Sequence, residues 1–190
     1  MSQKAFLFRL VTKLEEAGIP YMISGSLGSS LHGEPRATND IDLIIAPTSD
    51  QLKTFVHSLS RGYYVSPETA QEALRNRSMF NIVDDQTGWK ADIIIRKDRP
   101  FSLAEFSRRV SANILGIQVS VVTPEDAILC KLEWSKKSGS ERQFRDALGI
   151  AVVQGKNLDQ ESVRKWARAL NVGNLLDNLL RNAEEIQPPI

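Results

Sequence analysis

Three observations predict an α/β protein of the α+β kind: a mixed sheet flanked by helices, then a helical C-terminal part. Short aliphatic runs, Ile41–Ala46 among them, alternate with stretches of helical period through the first two thirds of the chain. At Thr123-Pro124-Glu125-Asp126 the pattern changes: a capping hydroxyl, a proline suited to the first helical position and two acids announce a helix. Nearly everything after it reads helical. The 190 residues, 42% hydrophobic and 25% charged, suit one such domain, with enough chain to bury a core without disulfide or metal staples. We therefore divide the chain into residues 1–123 and a helical region, 124–190.

The elements follow in order. Leu7, Leu10, Val11 and Leu14 repeat at helical spacing and end at Gly18 and Pro20. Tyr21–Ser24 reads as a short strand running into a turn and helix that start at Gly25. Gly33, Pro35 and Asn39 mark a loop, and Ile41–Ala46 a strand stopped by Pro47. Ser49 or Asp50 is expected to cap a helix carrying Leu52, Phe55, Val56 and Leu59. Pro67 opens another helix to about Arg75. Met79–Val83 and Trp89–Arg96 form strands around a hairpin-type turn, Asp84–Gly88. A short helix at Phe101–Phe106 precedes strands at Val110–Ile114 and Ile117–Val122. In the helical region Leu175, Leu176, Leu179 and Leu180 make an apolar stripe before a Pro188-Pro189 tail.

Composition excludes several classes of function. Lys plus Arg is 24 against 23 Asp plus Glu, a net charge of +1, so no global field draws in nucleic acid. Any such site is local. One cysteine, Cys130, rules out a disulfide framework and fits a reducing compartment. With no apolar run long enough to span a bilayer and no signal-like N-terminus, the expectation is a cytoplasmic protein. His32 and His57 have no partner at metal-ligand spacing, which argues against zinc.

Chemistry concentrates in residues 23–45. Gly25 and Ser26 follow a strand and open a helix, where first-turn N–H groups and the helix dipole suit a phosphate. Asp40-Ile-Asp42 stands at the mouth of the next strand. Alternation turns both carboxylates to one face and Ile41, Leu43 and Ile45 to the other. Paired acids of this kind are either a solvated strand edge or oxygen ligands for a hard cation such as Mg²⁺. Asp92 is the third acid, in the otherwise apolar strand Lys90-Ala-Asp-Ile-Ile-Ile. A salt bridge to Lys90 or Arg96 would account for it. So would a place beside the first two acids, where three carboxylates could hold two metals.

Gly-Ser, a helix of some ten residues, Asp-x-Asp and a lone Asp on a later strand resemble the DNA polymerase β-type nucleotidyltransferase superfamily. Residues 23–45 look most like small prokaryotic members related to the abortive-infection (AbiE-type) toxins, with Thr38-Asn-Asp40-Ile-Asp42 as their second motif. The resemblance implies a nucleotidyltransferase-like mixed sheet and Mg²⁺-dependent transfer of a nucleoside monophosphate from an NTP such as ATP to a hydroxyl. It implies Asp40, Asp42 and Asp92 as catalytic and metal-binding residues, in a two-metal site with Mn²⁺ as an alternative ion. It also implies nucleotide contacts from Gly25, Ser26 and Thr38, and from Lys131, Arg142 and Arg145 in elements resembling the toxins' later motifs. A cognate antitoxin protein would be a partner of such a toxin. A non-catalytic nucleotide- or partner-binding module on the same fold is the other reading.

Taken on their chemistry alone, Lys131, Arg142 and Arg145 are either surface ion pairs at helical spacing or a grip on triphosphate oxygens, with Asp146 orienting an arginine. The acceptor hydroxyl stays open between a tRNA 3′ end, a protein and a small molecule. Arg96, Lys97, Arg99, Arg108 and Arg109 would favour a polyanion if they flanked the same cleft. Trp134 and Trp166 are expected on apolar helix faces.

Overall fold

The structure, a computed structural model, describes residues 2–35 and 37–186. The Pro188-Pro189 tail lies outside the described residues. The chain divides into two compact units, residues 1–26 with 37–121, and residues 27–36 with 122–190.

The first unit holds one seven-stranded sheet. Its strands are β1 (Tyr21–Ile23), β2 (Asp40–Ile45), β3 (Tyr63–Tyr64), β4 (Met79–Asp84), β5 (Lys90–Ile95), β6 (Val110–Ile114) and β7 (Ile117–Val121). They run in the order β3-β4-β5-β2-β1-β7-β6. β2 with β5 and β1 with β7 are parallel, and the other pairs antiparallel, so the sheet is mixed as expected. Helices α1 (Gln3–Glu16), α3 (Ser49–Ser58) and α4 (Pro67–Asn76) pack in succession, α1 touching β7 and α4 touching β4 and β5. The apolar stripe of α1 does what its spacing predicts: Phe6, Leu7, Leu10 and Leu14 are wholly buried. So are Ile41, Leu43 and Ile45 of β2 and Ala91, Ile93 and Ile95 of β5. Each large aliphatic buried this way contributes about 2 kcal/mol, and this fixes which face of each strand is left for polar groups.

Two local details differ from the sequence reading. The cap of α3 is Thr48, one residue before the expected pair. Its hydroxyl accepts from Gln51 N while the Gln51 side chain accepts from Thr48 N, a reciprocal capping box. The two-residue β3 was not anticipated, being too short to show a period. Asp84, at the end of β4, is buried and ion-paired with Arg9 of α1. Burial is the largest influence on its carboxyl and pushes it up. The Thr87 hydroxyl, the Thr87 and Gln86 N–H groups and Arg9 together outweigh that and hold it below the usual range.

α2 (Gly25–His32) starts in the first unit and gives most of its length to the second. The second unit is otherwise helical: α6 (Pro124–Ser138), α7 (Glu141–Gln154), a 3-10 turn (Gly155–Asn157), α8 (Gln160–Ala169) and α9 (Gly173–Ile186). Thr123 caps α6 through Asp126 N, with Pro124 in the first turn, as its sequence signals indicate. α6 packs on α7 and α8, and α9 on α7 and α8. Leu129, Leu132, Ile150, Val163, Leu176 and Leu179 are buried in this unit. The His32 ring nitrogen Nε2 lies 2.6 Å from Val122 O, and Gln154 Nε2 donates to His32 O at 2.7 Å, tying residues 27–36 to the helices. Trp134 departs from expectation: it is 63% exposed on α6 rather than packed.

Candidate active site

The parallel register of β2 and β5 sets Asp40 opposite Lys90 and Asp42 opposite Asp92. Because strand side chains alternate, all four stand on one face, as the corners of a rectangle. Its sides are about 5 Å between strands and 7 Å along them. Three corners are carboxylates and one is an ammonium. Two acids directly opposite one another repel, and Asp42 beside Asp92 is such a pair.

Lys90 supplies the compensating charge. Its Nζ lies 2.9 Å from Asp92 Oδ1, the ion pair that the sequence left open as an alternative. Its hydrogen bond to Asp92 is the largest influence and raises the ammonium above its ordinary value. Burial works against that rise, and the charges of Asp92, Asp40 and Asp42 add to it. A second donor reaches the same oxygen: Asn81 Nδ2, from the antiparallel neighbour β4, where Asn81 faces Asp92. Arg96 does not pair with Asp92. Its guanidinium stands over the Phe106 ring and near Asp98.

Asp42 meets the start of α2. Gly25 has φ +58, and a Cβ built on it would lie 1.9 Å from Asp42 Oδ2. The Asp42 carboxylate therefore lies against the α-carbon that begins the helix, at the positive end of its dipole. Ser24 N donates to Asp42 O at 3.0 Å, locking the strand to the turn. Ser26 follows in the first turn of α2, where N–H groups have no acceptor within the helix. Thr38 is half-buried, and its hydroxyl bridges the backbone of Asp40 by donating to O at 3.2 Å and accepting from N at 3.4 Å. That contact shapes the entry to β2. The structure thus brings Gly25, Ser26, Thr38, Asp40, Asp42 and Asp92 to one region of the first unit.

The donors are hard carboxylate oxygens on a face left with two net negative charges, which in kind suits Mg²⁺ or Mn²⁺. Among the described residues, no group of three or more His, Cys, Asp or Glu is gathered into a metal-holding cluster. Asp92 is turned to Lys90 and Asn81 instead.

The remaining candidates lie in the helical unit. Lys131 Nζ is 2.8 Å from Asp146 Oδ2, joining α6 to α7, with the lysine side chain 7% exposed. Asp146 thus pairs with Lys131. Arg142 and Arg145 are exposed on α7. The arginine cluster of the first unit lies past the C-terminal end of β5, whereas Asp92 is near its start. Four residues of strand, about 13 Å, separate Asp92 from Arg96. Three of the cluster's guanidiniums rest on aromatic rings: Arg96 and Arg109 on Phe106, Arg99 on Phe101.

Asn81 went unnoticed in the sequence. Its one signal is position: it is a polar residue on the outward phase of β4, between buried Phe80 and Ile82. Which strand lies beside β4 is a tertiary fact.

No protein family model and no curated protein matches the chain. Solved structures do. The antibiotic-resistance factor ANT(2'')-Ia, in complex with adenylyl-2''-tobramycin, superposes with a TM-score of 0.57 at 14% identity, covering 90% of this chain and 98% of its own. An antigenic nucleotidyltransferase-like protein from Paracoccidioides brasiliensis gives 0.59 at 18% identity, covering 94% and 91%. The lincosamide antibiotic adenylyltransferase LnuA, bound to lincomycin, gives 0.52 at 15% identity, covering 80% and 98%. At such identities the likeness is one of fold, and the fold of this chain is that of the nucleotidyltransferases.

Proposed function

We propose that the protein is a metal-dependent nucleotidyltransferase that moves a nucleoside monophosphate from an NTP to a hydroxyl. The observation that carries this reading is the pairing of β2 with β5, which aligns Asp42 with Asp92 and keeps Asp40 on the same face. In the reaction the acceptor oxygen bonds to the α-phosphorus and the bond to the β-phosphate bridge breaks. The hydroxyl proton is lost and pyrophosphate leaves. Gly25 and Ser26 cradle phosphate oxygens at the start of α2, and Thr38 holds the strand mouth in shape for the nucleotide. Asp40, Asp42 and Asp92 would hold the metal ions, in a two-metal site, with Asp92 sharing the one on the acceptor side and favouring loss of the proton. Mg²⁺ held there, or Mn²⁺ in its place, offsets phosphate charge as a Lewis acid. The nucleotide contacts that the resemblance implies for Lys131, Arg142 and Arg145 fall in the second unit, where Asp146 fixes the lysine.

For the acceptor, a small-molecule hydroxyl is favoured over tRNA or a protein. Two structural neighbours are seen with adenylyl-2''-tobramycin and with lincomycin, and three arginines of the cluster offered for a polyanion, Arg96, Arg99 and Arg109, rest on aromatic rings. The likeness of residues 23–45 to abortive-infection toxins supports a narrower version, a cytoplasmic toxin restrained by an antitoxin.

The test is pyrophosphate release from each NTP with Mg²⁺, over aminoglycosides, lincosamides, tRNA and cell extract. We expect release and a labelled acceptor with the parent. Asp42→Asn should reduce release about a hundredfold or more, with a melting temperature equal or higher because a repulsion is relieved. A protein stabilised by Mg²⁺ and NTP that releases no pyrophosphate would instead be a nucleotide-binding module. Neither stabilisation nor release would sink both readings.

A further inference from the structure

We propose that Lys90 is a built-in competitor for the divalent cation: its ammonium occupies Asp92 in the metal-free protein and must leave for that carboxylate to turn to a metal. This rests on the metal-dependent reading above. Three observations support it. Lys90 stands at the fourth corner of the acid rectangle, opposite Asp40 and one step from Asp92. Its Nζ is 2.9 Å from Asp92 Oδ1, the oxygen that also accepts from Asn81. Asp92 is thus engaged through Oδ1 by two donors, while Asp42 beside it lies against the start of α2.

The two donors differ in how easily they yield. Asn81 has a short side chain on a paired strand. Lys90 has a flexible four-carbon stem and is 39% exposed, so its ammonium can swing into water with little loss. A divalent ion at Asp92 would face the ammonium at short range and repel it. Lys90 therefore protects the acid face from self-repulsion when no metal is bound, and raises the metal concentration needed to fill it. It is a positioning residue.

The experiment is Mn²⁺ binding to the whole chain, followed by the electron paramagnetic resonance of free Mn²⁺. Parent, Lys90→Met, Lys90→Arg and Asp42→Asn are compared, with melting curves taken with and without the ion. Methionine keeps the stem and removes the charge. Lys90→Met should bind Mn²⁺ about fivefold tighter or more, the scale of one partly exposed ion pair. Its metal-free melting temperature should fall while its Mn²⁺-induced rise grows. Lys90→Arg, still cationic, should stay within about twofold of the parent. A purely structural lysine would lower both melting temperatures alike and leave affinity unchanged. Equal or weaker Mn²⁺ binding by Lys90→Met overturns the proposal, even if Asp42→Asn shows the metal site to be real. No saturable binding by parent or Lys90→Met overturns it together with the metal-dependent reading.

Discussion

At Gly25 two separate demands fall on one residue. Its φ of +58 lies in the left-handed region, which costs any other residue about 1 kcal/mol or more. Its missing Cβ leaves room for Asp42, whose Oδ2, Cγ and Cβ would lie 1.9, 2.3 and 2.7 Å from an added carbon. No small adjustment clears three contacts of that kind, so the carboxylate itself would have to leave. Gly25→Ala should lose about 1–3 kcal/mol of stability in a denaturant titration. It should also lose the thermal shift produced by Mg²⁺ and NTP at temperatures where it remains folded. A variant that keeps that shift at parental size would show that the close approach of Asp42 to α2 has no part in binding. The sequence already points to Gly25, Asp40 and Asp42, because a turn glycine and a two-residue alternation are local signals. The Lys90–Asp92 ion pair is likewise legible as neighbours two apart on one strand. The place of Lys90 opposite Asp40 and of Asn81 opposite Asp92 arises from pairing with other strands and has no such signal.

Among the elements, α2 and α7 show how backbone can pack on backbone. A Cβ on Gly33, just past the end of α2, would lie 2.8 Å from Ile150 N and 3.0 Å from both Gly149 C and Ile150 Cα. All three belong to the backbone of α7 and cannot rotate aside. Gly149 faces the same junction, yet its Cβ would meet Glu34 at 3.6 Å or more, an ordinary contact. Gly33→Ala should therefore cost about 2 kcal/mol. Gly149→Ala should be neutral or stabilising by some tenths, since a helix-interior glycine is itself unfavourable. Equal effects in thermal melting would refute this account of the junction. The same contrast explains what was legible at this scale. α1, β2, β5 and the start of α6 follow from apolar period and capping residues close in sequence. The shift of the α3 cap to Thr48 turned on a reciprocal bond with Gln51 that competes with equally suitable caps at Ser49 and Asp50. β3 is held by pairing with β4 and by Tyr63 packing on Phe6 and Arg9 of α1, and the β2–β5 pairing joins segments some fifty residues apart, so neither could be read along the chain.

Over the whole molecule, 24 basic residues balance 23 acidic ones, so a polyanion would have to be held by a local cluster. One candidate, residues 96–109, is tied into the first unit. Arg99 Nε donates to Ser102 Oγ at 3.0 Å, Arg109 donates to Phe106 O, and Arg77 joins Asp98 at 2.7 Å. Stacking of the half-buried Arg96, Arg99 and Arg109 on Phe101 and Phe106 adds about 0.5–2 kcal/mol per pair. Arg96, Arg99 and Arg109 are thus engaged by side chains and backbone of α5 (Pro100–Arg108), the helix that follows β5. The charge-reversed double variant Arg108→Glu with Arg109→Glu should therefore leave the thermal shift produced by Mg²⁺ and NTP unchanged. It should cost about 1 kcal/mol or more of stability, at least the lost Arg109 stacking and its bond to Phe106. RNA binding by filter retention at 50 and 200 mM salt should be weak for parent and variant alike. A protein using six phosphate contacts would lose about a thousandfold over that interval. A parent that binds RNA tightly at 50 mM salt, loses it steeply by 200 mM, and fails to bind once the two arginines are reversed would restore a polyanionic acceptor and remove the preference for a small-molecule hydroxyl.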